Sequence, residues 1–162
     1  MRLIFFNSYI LPILDYCCTV WGECNSQCVE RLNKMLKRSA REILDADFMT
    51  PSNFMFRNLK WLNIQQRFKY QKAILVFKSL NNLLPSYIQE NITLVENSNY
   101  YLRSSEKSEL QFPRPKTNFM KQTFHYSGAQ IWNNLPNEIK TSKSLSLFKE
   151  RCFEYIFNCM DM

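Results

Sequence analysis

The chain has 162 residues, 46% of them hydrophobic and 15% aromatic, and a formal net charge of +7. That length fits one domain with a real core, and the composition is far too apolar for a disordered segment. Only two glycines occur, Gly22 and Gly128; this counts against glycine-rich phosphate loops and turn-dense β-sandwiches or barrels, and leaves a mainly α fold.

Residues 3–19 read as a first helix, bent at Pro12 and ending near Gly22. Arg2 followed by Leu3-Ile4-Phe5-Phe6 mimics the start of a signal peptide, but Asn7, Ser8, Pro12 and Asp15 interrupt the apolar run and no small-residue cleavage site follows. The run is also too broken to span a bilayer. The expectation is an intracellular protein of cytoplasm or nucleus, neither secreted nor membrane-bound, with Met1 an internal methionine of a once-longer reading frame.

Asn25 or Ser26 caps a second helix running to about Asp45. At about 100° per residue, Val29, Leu32, Leu36, Ala40 and Ile43 fall within about 80° of one another, and Arg31, Lys34, Arg38 and Arg41 fall on the opposite side. Thr50-Pro51-Ser52 opens a short helix through about Leu59. A long helix follows from Ile64 to Asn82, with apolar residues on more than one face, so neighbours are expected on two sides; Pro85 disfavours helix at the residue before it. Residues 91–122 change character, rich in Asn, Ser and Glu and broken by Pro113 and Pro115. They read as a loop with one short β-hairpin, Tyr100–Arg103 pairing with Leu110–Phe112 or with Phe119–Phe124. Thr123 to Asn134 is helical and stops at Pro136. Ser142 or Ser144 caps a last helix with Leu145, Phe148, Cys152, Ile156 and Cys159 on one face. The organisation is thus a helical region over 1–90, a loop or hairpin segment over 91–122, and a C-terminal helical region over 123–162 packing on the first, all one domain.

Positive charge gathers in the middle of the chain. Residues 51–90 carry Arg57, Lys60, Arg67, Lys69, Lys72 and Lys78 against Glu90 alone, while residues 1–50 balance at six and six. The stripe Arg31/Lys34/Arg38/Arg41 spans about 15 Å of helix. It fits either a solvated face, partly neutralised by Glu30 and Glu42, or a track for a phosphate backbone. Lys69 and Lys72 are additional candidates for such contacts. Phe68 and Tyr70, interleaved with them, suit core packing better than base stacking.

Chemistry of other kinds finds little support. Cys17-Cys18 and Cys152/Cys159 sit in apolar helical patterns and read as buried thiols. Cys24 and Cys28 have a loose metal-ligand spacing with no second pair at a zinc interval, so neither a metal nor another cofactor is expected. His125, the only histidine, lies between Phe124 and Tyr126 with no carboxylate nearby in sequence. A two-metal polymerase site needs clustered aspartates, and no Asp-Asp pair occurs. No enzyme activity is expected of this chain by itself. Trp132-Asn133-Asn134-Leu135-Pro136 reads as a packing corner, with an asparagine capping the helix before the proline.

Taken in order, several segments resemble the jockey-like branch of LINE-type, non-LTR retrotransposon reverse transcriptases. Tyr9…Pro12-Ile13-Leu14-Asp15-Tyr16…Val20-Trp21-Gly22 looks like that family's segment just after the catalytic palm, and Leu32 to Ile43 like the basic helix that follows. Leu59-Lys60-Trp61-Leu62-Asn63-Ile64…Arg67 and Phe77-Lys78-Ser79-Leu80-Asn81…Pro85-Ser86-Tyr87-Ile88 are similar to its next stretches. Pro113-Arg114…Lys116-Thr117, Phe124…Gly128-Ala129…Trp132-Asn133-Asn134-Leu135-Pro136 and Ser144-Leu145…Phe148-Lys149 complete the series. The resemblance covers nearly the whole chain and implies a thumb and post-thumb region, which cradles a template–primer duplex. Cys17-Cys18 departs from the pattern, standing where relatives often have a glycine. The implied function is that of a non-catalytic C-terminal part of an RNA-directed DNA polymerase, binding RNA, DNA or an RNA–DNA hybrid through Arg31, Lys34, Arg38, Arg41, Lys69 and Lys72. Its further partner would be the palm domain of the parent polymerase. The alternative is a degenerate or host-adopted helical domain that binds protein.

Overall fold

The computed structural model describes residues 1–22, 25–90, 92–95 and 109–159. Every regular element among them is helical, so the protein is mainly α; one antiparallel bridge joins Leu94 to Leu110. The chain forms two compact units, residues 1–68 with 155–162 and residues 69–154. The divisions fall inside two helices, where no change of composition marks them.

In the first unit the opening helix is interrupted twice. Helix α1 (Arg2–Phe5) runs into a π turn over Phe6–Ile10, then α2 (Leu11–Asp15) and α3 (Cys18–Trp21). Pro12 has no N–H to return to the carbonyl four residues back, and its ring crowds that carbonyl. The helix widens ahead of it, with the Leu11 N–H reaching back to the Phe6 carbonyl. Between α2 and α3, Tyr16 is extended and Cys17 takes a left-handed φ of 50°. The expected single bend at Pro12 is therefore a π turn followed by a separate break.

Helix α4 (Ser26–Leu44) matches its expected bounds, its first turn capped by the Asn25 side chain accepting from the Gln27 N–H at 3.1 Å. It buries Val29, Leu36 and Ala40, with Leu32 and Ile43 half-buried, against a core that includes Phe6, Leu11, Leu14, Phe56 and Trp61. Helix α5 (Ser52–Leu59) adds Met55, Phe56 and Leu59 to that core. Phe6 stacks on Trp61 at 4.6 Å between centroids, and the indole N–H of Trp61 donates to Asn7 Oδ1 at 3.1 Å. Trp21 meets Phe68 edge-on at 5.1 Å. Gly22 lies beside that ring: a Cβ there would stand 2.3 Å from the Cys18 carbonyl oxygen and 3.0 Å from the Phe68 ring.

Helix α6 (Ile64–Leu80) starts on a reciprocal cap. The Asn63 N–H donates to Gln66 Oε1 and the Gln66 N–H to Asn63 Oδ1, while Asn33 Oδ1 accepts from the Ile64 N–H at 3.1 Å. Its buried residues (Ile64, Phe68, Lys72, Ala73, Ile74, Val76, Phe77) lie all round the axis, as expected for a helix with neighbours on more than one side. It ends two residues short of the expected Asn82, which adopts a left-handed φ of 56°.

The second unit adds α7 (Ser86–Gln89), α8 (Asn118–Lys121), α9 (Phe124–Asn133), α10 (Asn137–Lys140) and the start of α11 (Leu145–Asn158). Ser144 caps α11, its Oγ accepting from the Leu147 N–H at 3.2 Å. Phe77 stacks on Phe148 at 4.3 Å, and Trp132 lies 5.9 Å from Phe148. Gly128 lets α9 pass close to α6, since a Cβ would stand 3.2 Å from Val76 and from the Phe124 ring. The Trp132–Pro136 corner is a packing corner, with Trp132 and Leu135 buried. Asn134 is the C-cap of α9, and the Asn133 side chain before it has a separate role. The Asn133 side-chain oxygen accepts from the Leu110 N–H at 2.8 Å and its amide donates to the Leu110 carbonyl at 3.0 Å. One side chain thus acts as a strand partner for Leu110.

The Tyr100–Arg103 arm of the expected hairpin lies outside the described residues. Its proposed partner Phe119–Phe124 is helix and turn rather than strand, because Thr117 Oγ1 caps α8 by accepting from the Met120 N–H. Leu110, the other proposed partner, pairs with Leu94 and Asn133.

Candidate nucleic-acid interface

The basic stripe of α4 emerges on the side opposite its buried residues. Arg31, Lys34 and Arg38 are exposed, and Lys34 reaches Glu30 one turn back at 3.0 Å. Both partners of that pair are about two-thirds exposed, so water and salt screen it and it leaves Lys34 free to exchange partners. Arg31 and Arg38 have no ion pair or hydrogen bond among the described residues. Arg38, with Arg2, Glu42 and the apolar side chains of Phe5, Phe6 and Ile43, also lines a groove of about 730 Å³ beside α1. Arg2 is not free there: it pairs with Asp45 at 3.1 Å and donates to the Glu42 carbonyl at 2.7 Å.

Arg41 differs from the other three. It is half-buried, with its guanidinium carbon 5.2 Å from the centroid of the Phe48 ring and its Nε shielded from water without a hydrogen-bond partner. The helix phase put Arg41 at the edge of the basic stripe, and the turn after α4 folds Phe48 back against it. Its cation is engaged in a cation–π contact before any ligand arrives.

The two candidates on α6 separate. Lys69 is exposed. Lys72 is 2% exposed, and its ammonium donates to Ser127 Oγ at 3.0 Å, while Ser127 in turn donates to the Thr123 carbonyl at 2.9 Å. The assignment of Lys72 to a nucleic-acid surface is therefore corrected: its charge is spent inside the second unit, satisfying a buried hydroxyl. Helical phase alone does not reveal this, because a helix covered on several sides has no outward face to which a lysine must belong. Arg67, also part of the mid-chain basic surplus, grips Asp15. Phe68 is buried, and Tyr70 is half-buried with its hydroxyl 3.3 Å from the Lys149 carbonyl, so neither presents a face for stacking.

The cysteines divide as well. Cys18 and Cys152 are buried as expected, whereas Cys17 and Cys159 are exposed. Burial pushes the Cys152 thiol up to about 12. Cys24 lies outside the described residues, and among those described no three His, Cys, Asp or Glu side chains gather as metal ligands. No helix among the described residues is long and apolar enough to cross a membrane. No family model matches the chain, and neither a curated protein nor a solved structure matches it.

Proposed function

We propose that the chain is the C-terminal, non-catalytic part of a non-LTR retrotransposon reverse transcriptase, and that it binds template–primer nucleic acid through the outer face of α4. The observation that carries the binding is the exposed series Arg31, Lys34 and Arg38, set opposite the residues that hold α4 in the core. Lys69 is a further exposed cation, on the second unit. Two features favour the family origin. Within the Cys17-Cys18 pair, which stands where relatives often have a glycine, Cys17 has a left-handed φ of 50°, a conformation that glycine adopts freely. Asp15 and Arg67, from two separate stretches of the resemblance, are joined directly.

The mechanism is phosphate neutralisation, which fixes position without reading sequence. Three phosphates engaged by Arg31, Lys34 and Arg38 would give a logarithmic salt slope of roughly −2 to −3. The test is fluorescence-anisotropy titration of an RNA–DNA hybrid across salt. Micromolar or tighter binding with that slope is the expected result; a folded protein that fails to bind at low salt refutes the binding role.

A second reading, a helical protein-interaction module, is favoured by one observation. Phe5, Tyr9, Ile13, Tyr16 and Val20 are all more than half exposed.

A further inference from the structure

Phe48 is the most exposed aromatic side chain among the described residues, at 82%, yet it is held in place. The guanidinium carbon of Arg41 stands over the ring, 5.2 Å from its centroid, so a cation covers one face and the other is open to solvent. The turn that carries the ring is pinned on both sides of it. The Ala46 N–H donates to the Arg41 carbonyl at 3.1 Å, and the Thr50 N–H to the Asp47 carbonyl at 3.0 Å. Ala46 itself packs on the core of the first unit. A single exposed apolar side chain is ordinary. A ring seated on the last arginine of a basic helix face, with one whole face open, has the form of a stacking platform for a base.

We infer that Phe48 stacks on an unpaired base, so that a single strand, or the single-stranded flank of a duplex, is bound at the C-terminal end of α4; the inference rests on the phosphate-binding role of α4 proposed above. Spacing is the first argument. Arg38 lies about 6 Å beyond Lys34 along the helix axis, and Arg41 about 4.5 Å beyond Arg38. A backbone neutralised by Arg31, Lys34 and Arg38 therefore arrives one helical turn short of the arginine on which the ring sits. Charge is the second. Arg41 is engaged beneath the ring, and the exposed carboxylate of Asp47, next to Phe48, repels a phosphate. The turn thus suits a base and not the backbone. Pairing is the third: inside a duplex, neighbouring base pairs cover both faces of every base, so the ring finds a partner only where bases are unstacked. Every base has such a face, so the contact adds affinity without reading sequence.

The experiment is anisotropy titration of the full chain, across salt, with two labelled DNA strands of equal length, one bearing bases and one abasic. The two strands carry the same phosphates, so their difference reads the bases alone. The wild type is expected to bind the base-bearing strand more tightly. Phe48→Ala and Phe48→Leu should each remove that advantage, a loss of roughly five- to a hundredfold, and Phe48→Trp should keep it. The salt slope should be the same in all four proteins, because no phosphate contact is lost. Equal affinity of the wild type for the two strands overturns the stacking and leaves the phosphate contacts of α4 standing. So does a loss in Phe48→Ala that is as large on the abasic strand, or that changes the salt slope. Failure of the folded wild type to bind either strand at low salt overturns the stacking and the role of α4 together.

Discussion

Arg67 holds both carboxylate oxygens of Asp15, Nε to Oδ1 at 2.9 Å and Nη2 to Oδ2 at 2.5 Å, joining the end of α2 to the start of α6 across 52 positions of sequence. The side chains are 14% and 26% exposed, so the pair is partly shielded from water and the fork geometry is fully used. Arg67→Ala is expected to cost about 2–4 kcal/mol, because it leaves a half-buried carboxylate unpaired. Arg67→Lys should recover only part of this, since an ammonium cannot match both oxygens. Denaturant melts of the two variants, with Asp15→Asn as the reciprocal change, measure it.

Charge substitutions should sort the lysines and arginines by location. Arg31→Glu and Arg38→Glu are expected to leave stability within about 0.5 kcal/mol, while each lowers the magnitude of the nucleic-acid salt slope by about one. Lys72→Ala should do the opposite, costing about 2 kcal/mol or more through lost packing and an abandoned Ser127 hydroxyl. Anisotropy and thermal melts on the same three proteins separate the two classes.

Cys17 is exposed and sits at a φ that costs an L-residue roughly 1–2 kcal/mol. Cys17→Gly relieves that strain at the expense of some unfolded-chain entropy, and a net gain of about 0.5–1 kcal/mol is expected in a urea melt. A loss of stability would mean that the Cys17 side chain contributes contacts that outweigh its backbone.

Asn133 predicts a local rather than a global effect. Asn133→Ala removes both partners of the Leu110 backbone, at a cost of about 1–3 kcal/mol. The Leu110 amide should lose its hydrogen-exchange protection first, ahead of amides in the middle of α9.

Thiol chemistry follows burial. Alkylation at pH 8 should label Cys17, Cys28 and Cys159 readily, and Cys18 and Cys152 only on unfolding. Cys152 keeps its proton in the fold up to about 12, against an ordinary value of 9.0 once unfolded. Between those values the unfolded chain binds fewer protons, so stability falls as pH rises through this window and is unaffected below it. Cys152→Ala should flatten that alkaline slope in urea melts taken from pH 9 upward.

How far the sequence revealed this molecule varies by element. Helix α4 was legible because its apolar and basic stripes share one period on opposite sides, and Asn25 marks its start. Lys72 was not, because α6 is apolar all round and its phase carries no inward direction. The Asn133–Leu110 clamp joins positions 23 apart through one side chain, which no periodicity records. The first run was misread as a simple bent helix because its apolar residues change phase partway: on a straight helix Leu3 and Phe6 point about 80° away from Leu11, Leu14 and Cys18.

The π turn over Phe6–Ile10 resolves that mismatch, since its wider ring absorbs one residue and brings both halves onto the core. The run is, in effect, one residue longer than a regular helix between the same contacts. Deleting exposed Ser8 would convert the wide turn to an ordinary one while both halves keep their seats in the core. A deletion in the middle of α4 would swing every later side chain by about 100° and carry its later apolar residues off the core. Among the described helices, the five residues ahead of Pro12 are thus a place where a change in length need not disturb the packing on either side.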